Sequence, residues 1–428
     1  MKIQQIFAQE ILDSRGNPTV EAQLTLENGI KVSSAVPSGA STGSHEAHEL
    51  RDEDKGRFGG KGVLKVVKNV NEIIAGTLIG MDVENQEKID EKMIALDGTE
   101  NKSKLGANAI VAVSVACVKA AAASLNIPVF EYVAKLAGEN TQEYLMPIPM
   151  MNVLNGGKHA TNSSDMQEFM IMPIGAPTIA EAIRWGSEVF QQLGKNLKAQ
   201  GFSTSVGDEG GYTPSLGNNE RPLEEIIKAI KDAGYEPGKD IAIALDPAAS
   251  EIYKDGKYNL KTENAMLSTD QMVEKYLGWL DKYPLISIED GFFEDDWQGF
   301  VKLTEKIDNR FQIVGDDLFV TNAERLQMGI DKKACNSILI KVNQIGTITE
   351  TIKTIKLAKA HNFTAIVSHR SGETEDAFIA DFVVGMHTGQ IKTGSLCRSE
   401  RICKYNQLMR IERSLGEKAK MAEFPFGK

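Results

Sequence analysis

The chain has 428 residues, enough for two or three domains or for one small domain beside a barrel. Hydrophobic residues make up 42% and charged residues 25%, which is ordinary for a globular protein and excludes a disordered or fibrous chain. The formal net charge of −11 repels polyanions and argues against nucleic acid as the primary ligand.

The N-terminal part of the chain is predicted to be an α+β domain. Apolar and polar positions alternate over the first 35 or so residues, on both sides of the turn Glu27-Asn28-Gly29, which is typical of an antiparallel hairpin. From Gly62 to about Ala137 the apolar spacing changes to that of helices. We therefore predict a first domain over residues 1–135, in which helices pack on a small sheet.

No segment predicts membrane insertion or export. The most apolar stretch, Ala107 to Leu125, contains polar residues and Lys119, so it predicts a helix inside a domain. Glu10 interrupts the N-terminus before a signal-like apolar core can form, so we expect a cytoplasmic protein. The four cysteines show no CxxC pair and no zinc spacing, and we expect reduced thiols.

Residues 140–428 are predicted to form an α/β barrel. Short β-branched runs alternate with helical stretches, and eight strands over roughly 280 residues match the size of a (β/α)8 barrel. The predicted strands are Pro149–Leu154, Phe169–Met172, Ile241–Leu245, Leu285–Ile288, Gln312–Val314, Ser337–Ile340, Thr364–Val367 and Gln390–Ile391. The C-terminal ends of such strands meet at one mouth, where active sites of this fold lie.

Charged residues end six of these strands, in the order Asp246, Glu289, Asp316, Lys341, Arg370 and Lys392. A single charged residue could simply lie where the chain leaves the core and becomes exposed to solvent. Three consecutive carboxylates followed by three consecutive cations are not explained in that way. The sequence therefore predicts a charged site at the barrel mouth.

The three carboxylates predict a magnesium site. Asp246, Glu289 and Asp316 would repel one another unless a cation lay among them, and oxygen ligands are what Mg²⁺ prefers. Lys341 would emerge beside that cation, where burial and positive charge should lower its pKa and make it a usable base. The alternative is that Lys341 only balances the carboxylates. Lys392 is the better candidate for a fixed counter-charge.

Several loops carry further candidates. The glycine-flanked segment 207–211 presents Glu209 either to a substrate or as part of a polar turn. His159 lies on the loop after the first barrel strand, and Gln167 and Glu168 precede the second. The segment 38–43 fits either a linker or a lid that closes over an anion.

The end of the seventh strand offers a guanidinium fork and a hydroxyl. Arg370 and Ser371 follow that strand, at a position where barrels commonly hold a phosphate group.

These motifs together resemble bacterial enolases over nearly the whole length. The matching strings are DSRGNPTV (13–20), SGASTG (38–43), NGGKHA (155–160), QEFM (167–170), GDEGG (207–211), SIEDG (287–291), VGDD (314–317), KVNQIG (341–346), SHRSGETED (368–376) and IKTGS (391–395). The resemblance implies an N-terminal α+β capping domain beside a TIM-like (β/α)8 barrel, whose second strand runs against the others. It also implies a homo-oligomer, either a dimer or an octamer.

The resemblance further implies reversible dehydration of 2-phospho-D-glycerate to phosphoenolpyruvate in glycolysis and gluconeogenesis. By motif, Lys341 is the base for the C2 proton, and Glu209 is the acid for the C3 hydroxyl, supported by Glu168. Asp246, Glu289 and Asp316 would hold a first Mg²⁺, and Ser41 would bind a second Mg²⁺ that arrives with substrate. The residues implied to contact or position substrate are His159, Gln167, Arg370, Ser371 and Lys392.

Two other functions stay open at this point. A relative on the same scaffold could remove a proton beside a carboxylate for racemisation or for another elimination. The chain could also act as an interaction protein, because enolases of this type are found on bacterial surfaces, where they bind plasminogen. Such a role implies a location at the cell surface or outside the cell without a signal peptide, and Lys428 is the residue type that lysine-binding modules capture.

Overall fold

The structure is a computed structural model that describes residues 1–39, 43–139, 141–159 and 163–427, without the side chain of His159. It consists of a small N-terminal sheet with helices and a closed eight-stranded barrel.

The N-terminal sheet is antiparallel and has three strands. They are β1 (Ile3–Leu12), β2 (Pro18–Leu26) and β3 (Lys31–Ala35), with β2 in the centre. Alternate side chains of β2, such as Val20 and Leu24, are fully buried. The period-two pattern therefore predicted this sheet correctly, because one of its faces packs on helices.

The helices that cover this sheet follow it in the chain. A 3-10 turn at Phe58–Gly60 comes first, and the helices are α1 (Leu64–Lys68), which continues through a π-helical turn (Asn69–Ile74) into α2 (Ala75–Leu78), then α3 (Gln86–Asp97), α4 (Ala107–Ser124) and α5 (Val129–Ala137). Helix α4 packs against β2 and β3. It is long and apolar enough to cross a membrane, but 83% of it is buried inside the fold, as expected for a core helix.

The strands of the C-terminal part are β4 (Tyr144–Met146), β5 (Ile148–Asn155), β6 (Glu168–Met172), β7 (Ala242–Asp246), β8 (Tyr253–Lys254), β9 (Lys257–Leu260), β10 (Ala265–Leu267), β11 (Leu285–Glu289), β12 (Gln312–Gly315), β13 (Ser337–Ile340), β14 (Thr364–Ser368), β15 (Gln390–Lys392) and β16 (Ala419–Met421). Eight of them close a barrel in the order β5-β6-β7-β11-β12-β13-β14-β15. Strand β6 is antiparallel to both neighbours, and the other pairs are parallel. The fold expected from the family resemblance is confirmed.

The helices of this part are α6 (Ile179–Ala199), α7 (Arg221–Asp232), α8 (Thr269–Lys282), α9 (Trp297–Ile307), α10 (Ala323–Lys332), α11 (Val342–Ile345), α12 (Ile348–Ala360), α13 (Phe378–Gly385) and α14 (Ser399–Leu415). The small sheet β8–β10 lies between β7 and β11, which explains the long spacing between those two barrel strands. Side chains such as Met150, Met170 and Leu339 fill the barrel, and Ala422 belongs to the same buried cluster. The interior is therefore a core, and only the mouth is left for a site.

None of the four cysteines forms a disulfide within the described part of the chain, and the reduced state stays a prediction. Cys117 and Cys335 are buried, and Cys397 and Cys403 are half-buried.

Candidate active site

The barrel brings the predicted charged residues to one mouth. Asp246, Glu289 and Lys392 are the last residues of β7, β11 and β15, while Asp316 and Lys341 directly follow β12 and β13. One cavity is lined by most of the predicted residues, namely Gln167, Glu168, Glu209, Asp246, Asp316, Lys341, Arg370, Ser371 and Lys392. Glu289 joins this group through its ion pair with Lys392.

The reversed direction of β6 explains why Gln167 and Glu168 lie at the mouth. In a parallel strand the residues at the start would lie at the opposite end of the barrel. Because β6 is antiparallel, its first residue, Glu168, pairs with Asp246, the last residue of β7. The side-chain Oε1 of Gln167 is buried and has no hydrogen-bond partner among the described residues.

Lys392 lies among three buried carboxylates. Its Nζ is 2.8 Å from Oδ2 of Asp246, 2.8 Å from Oε1 of Glu289 and 3.2 Å from Oε2 of Glu168. Burial alone would lower the pKa of Lys392, but the surrounding carboxylates outweigh burial and raise the pKa well above its usual value. This geometry agrees with the predicted fixed counter-charge.

Lys341 contacts Oδ2 of Asp316, and its backbone N–H donates to Oγ1 of Thr321 at 2.9 Å. Burial lowers the pKa of Lys341, but the charges of Asp316, Asp317 and Glu289 together outweigh burial, and the pKa is raised. The lowered pKa predicted from the sequence depends on a metal cation beside Lys341, so it stays a prediction. The neighbouring carboxylates dominate when no further cation balances them.

The mouth carries more buried negative charge than its lysines balance. Burial and neighbouring carboxylates raise the pKa of Glu168 and of Glu289 well above the usual range, and that of Asp317 to about 8. Oε2 of Glu289 is buried and has no hydrogen-bond partner among the described residues. Buried acids of this kind fit a divalent cation with oxygen ligands, which would take up the excess charge.

Among the described residues, the acidic group close enough to share one metal ion contains only one of the three predicted ligands, Asp316. Oxygens of Asp290, Asp316 and Asp317 lie within 4.8 Å of one another. The carboxylate of Asp290 accepts hydrogen bonds from the backbone N–H groups of Asp316 and Asp317, both at 2.8 Å. Asp290 therefore fixes the turn that presents Asp316. Neither Asp290 nor Asp317 was predicted, although each directly follows a predicted ligand in the sequence.

Glu209 is held in the glycine-rich loop as the sequence suggested. Its Oε2 accepts a hydrogen bond from Nδ2 of Asn152 at 3.1 Å and lies 3.4 Å from Nε2 of His369. Gly210 has a φ of +88°, and a side chain there would approach the carbonyl oxygen of Cys397 to 2.8 Å. Glycine is thus required next to Glu209 for both conformation and space.

Arg370 is buried and engages a carboxylate from the N-terminal part. Its Nη1 and Nη2 donate to the two oxygens of Glu46 at 2.8 and 3.1 Å. The carboxylate of Glu46 thus engages the guanidinium fork that was predicted to hold a phosphate. Glu46 was not predicted, because nothing in the sequence connects it with a residue 324 positions away.

Three predicted residues lie wholly or partly outside the described part of the chain. Ser41 and Lys428 lie outside the described residues, so the second metal site and the plasminogen contact stay predictions. The backbone of His159 forms part of a 3-10 turn (Gly157–His159), and its side chain lies outside the described part.

Comparison with protein families covers almost the whole chain. The family model described as the N-terminal domain of enolase matches residues 3–133. The one described as the C-terminal TIM barrel domain of enolase matches residues 143–428. Both domains follow each other in one chain, and the barrel mouth carries the acids and lysines described above. The chain therefore belongs to the enolase family of carbon–oxygen lyases.

Proposed function

We propose that this chain catalyses the reversible, Mg²⁺-dependent dehydration of 2-phospho-D-glycerate to phosphoenolpyruvate and water. The observation that carries this proposal is the position of Lys341 and Glu168 on the barrel. Lys341 follows β13 and Glu168 begins β6, and these strands are four apart in a closed barrel of eight. Glu168 lines the same cavity as Glu209, the proposed acid, so the base lies across the barrel from the residue that supports the acid. This arrangement suits an elimination in which the proton and the hydroxyl leave from opposite faces of the substrate.

Lys341 is the proposed base. Its Nζ removes the proton from C2 as the neutral amine, and the substrate lies between it and Glu168 and Glu209. Asp246, Glu289 and Asp316 would hold a divalent cation, which would supply positive charge to stabilise the dianion formed when the C2 proton leaves. Lys392, 2.8 Å from two of these carboxylates, adds a fixed positive charge beside them.

Glu209 is the proposed acid. It gives its proton to the C3 hydroxyl as that group leaves, and Glu168 supports it in this role. Arg370 and Ser371 bind the phosphate group, for which a guanidinium offers a matching fork. Gln167 and His159 position the substrate, and Ser41 takes part in binding a second Mg²⁺.

An absorbance assay for phosphoenolpyruvate tests this proposal. The purified chain is supplied with 2-phosphoglycerate after removal of divalent metal and again after addition of Mg²⁺. We expect product only with Mg²⁺, and we expect chelation to be reversible. Full turnover in metal-free buffer would contradict the metal requirement. Activity on 2-hydroxy acids without phosphate, and none on 2-phosphoglycerate, would favour the racemase-type or other elimination on this scaffold.

We also propose that copies of the chain form a homo-oligomer. Strand β1 is at the edge of the N-terminal sheet, and it exposes the apolar side chains of Phe7 (46%) and Leu12 (58%). Exposed apolar residues on an edge strand favour burial against another chain. Light scattering measures the mass in solution, and a monomer at micromolar concentration would contradict this proposal.

A further inference from the structure

A buried arginine that the proposed mechanism does not use reaches the site from helix α14. Arg401 is 0% exposed, and its Nη1 lies 2.5 Å from Nδ1 of His369. The same guanidinium donates to the carbonyl oxygens of Arg370 at 2.7 Å and of Ser371 at 2.6 Å. Nη2 of Arg401 also donates a hydrogen bond of 3.2 Å to the carbonyl oxygen of Asp208, the residue before Glu209. Arg401 therefore ties the segment after β14 to the loop that carries the proposed acid.

The contact with Arg401 determines which nitrogen of His369 carries hydrogen. A guanidinium only donates hydrogen bonds and stays charged, so Nδ1 of His369 has to accept. The imidazole is then neutral, with its hydrogen on Nε2. Burial acts in the same direction and lowers the pKa of His369 to about 4, although the charge of Glu209 opposes this shift.

The Nε2–H of this tautomer faces Glu209. Nε2 lies 3.4 Å from Oε2 of Glu209 and has no hydrogen-bond partner among the described residues. The separation is slightly longer than a hydrogen bond, and catalytic contacts often shorten when substrate binds. Nε2–H is therefore a donor that approaches one particular oxygen of the acid.

This donor restricts where Glu209 can hold its own proton. Oε2 already accepts from Nδ2 of Asn152 at 3.1 Å, and two N–H groups that point at one oxygen disfavour a hydrogen on that oxygen by repulsion. The transferable proton then belongs on Oε1. In the opposite tautomer a bare Nε2 would attract that proton to Oε2, away from the leaving hydroxyl.

We propose that Arg401 is a positioning residue, which fixes His369 as the Nε2–H tautomer and so keeps the transferable proton of Glu209 on Oε1. The tautomer itself does not depend on the reaction. The consequence for proton transfer rests on the proposed function.

The first test reads the tautomer of the wild-type protein. Long-range ¹H–¹⁵N spectra of protein labelled at its six histidines, recorded at neutral pH without substrate, distinguish the two tautomers and the charged ring. His369→Gln identifies the signals of this residue by their loss. We expect hydrogen on Nε2 alone. Hydrogen on Nδ1, or on both nitrogens, would overturn the proposal.

The second test compares Arg401→Gln with Lys404→Gln. Lys404 is buried one turn further along α14, where it donates to Glu373 and to the carbonyl oxygen of Thr374, so its loss controls for destabilisation. In Arg401→Gln we expect the other tautomer to become populated. Phosphoenolpyruvate formation should fall by about tenfold or more, and exchange of the C2 hydrogen with solvent by far less. Lys404→Gln should keep both the tautomer and the ratio of the two rates.

Equal losses of exchange and product in Arg401→Gln, or an unchanged tautomer, would show a merely structural role. If Arg401→Gln does not fold, the wild-type spectrum still decides the tautomer. Arg401→Lys then supplies the ratio of C2 exchange to phosphoenolpyruvate formation. A wild-type protein that forms no phosphoenolpyruvate would refute the proposed function but leave the tautomer measurement valid.

Discussion

At the scale of single residues, neighbours decide the charge of each buried group at the mouth. Burial alone would raise the pKa of both Asp316 and Glu289. Lys341 contacts Asp316 and, together with Lys392 and Arg370, outweighs burial, so the pKa of Asp316 is lowered. At Glu289, burial and Asp246 outweigh Lys392, so the pKa is raised. The pKa values of Asp316 and Glu289 thus shift in opposite directions, because the neighbouring cations outweigh burial at Asp316 but not at Glu289.

The neutral state of His369 predicts a loss of stability in mild acid. The pKa of His369 is about 4 in the folded chain, against an ordinary value of 6.5. Between these values the unfolded state binds a proton that the folded state does not, so stability falls as the pH falls. For one such group the loss from pH 7 to pH 5 is about 2 kcal/mol. Urea unfolding at the two pH values measures it.

His369→Gln should reduce this pH dependence by about the same 2 kcal/mol, whatever its stability at pH 7. The exposed His361, replaced by Gln, is the matched control and should leave the pH dependence unchanged. Equal pH dependence in wild type and His369→Gln would contradict a buried neutral imidazole.

At the scale of elements, the barrel strands could be predicted because each is a short β-branched run that ends in a polar or charged residue. Ser337–Ile340 matches β13 in full, and the other predicted strands differ by one or two residues at their ends. The direction of β6 could not be predicted from periodicity, since parallel and antiparallel strands share the same alternation. It followed only from the family resemblance.

The predicted site residues are those that end strands or stand in distinctive loops. Glu46, Asp290 and Arg401 were missed, because their importance arises from contacts between distant parts of the chain. Glu46 reaches Arg370, and Arg401 reaches His369, across the boundary between separate elements. No periodicity or motif in the sequence records such contacts, although Asp290 stands beside a predicted ligand.

Helix α12 begins against a carboxylate from the other part of the chain. Oδ2 of Asp90, on α3, accepts from the backbone N–H of Thr349 at 3.0 Å and from its Oγ1 at 2.6 Å. Asp90 is fully buried, and its loss would leave an unpaired N–H at the helix start. We expect Asp90→Ala to lower the free energy of unfolding by about 1–3 kcal/mol. Urea unfolding measures the change.

Asp90→Asn keeps one acceptor oxygen and should lose less stability than Asp90→Ala. Glu91→Ala, at the next, exposed position of the same helix, is the control and should change stability by no more than about 0.5 kcal/mol. If Asp90→Ala were as stable as this control, the contact between α3 and α12 would contribute nothing.

At the scale of the whole molecule, the N-terminal part supplies one wall of the site. Glu46 pairs with Arg370, and Ser38 forms a β-bridge with Gly372 on the segment after β14. A side chain at position 372 would lie 2.6 Å from both Oδ2 of Asp13 and Oγ of Ser38. Close contact between the two parts therefore forms one side of the mouth, and only glycine fits at position 372.

Metal binding should stabilise the whole chain. If Mg²⁺ binds the buried carboxylates only in the folded state, a concentration of 100 times its Kd adds about 2.7 kcal/mol. We expect the melting temperature to rise with Mg²⁺ and expect Asp246→Asn to abolish most of that rise. Asp281→Asn removes the same charge from an exposed position, and its melting temperature should still rise with Mg²⁺. An equal rise in both variants would show that Mg²⁺ acts elsewhere.

The assignment of base and acid is the central claim, and hydrogen exchange at C2 tests it most directly. Each variant is incubated with 2-phosphoglycerate and Mg²⁺ in heavy water, while deuterium in recovered substrate and the absorbance of phosphoenolpyruvate are followed. Lys341→Ala should lose both exchange and product, because the proton cannot leave C2. Glu209→Gln should keep part of the exchange and lose most of the product. Exchange that survives in Lys341→Ala but is lost in Glu209→Gln would contradict the account, because base and acid would then be reversed.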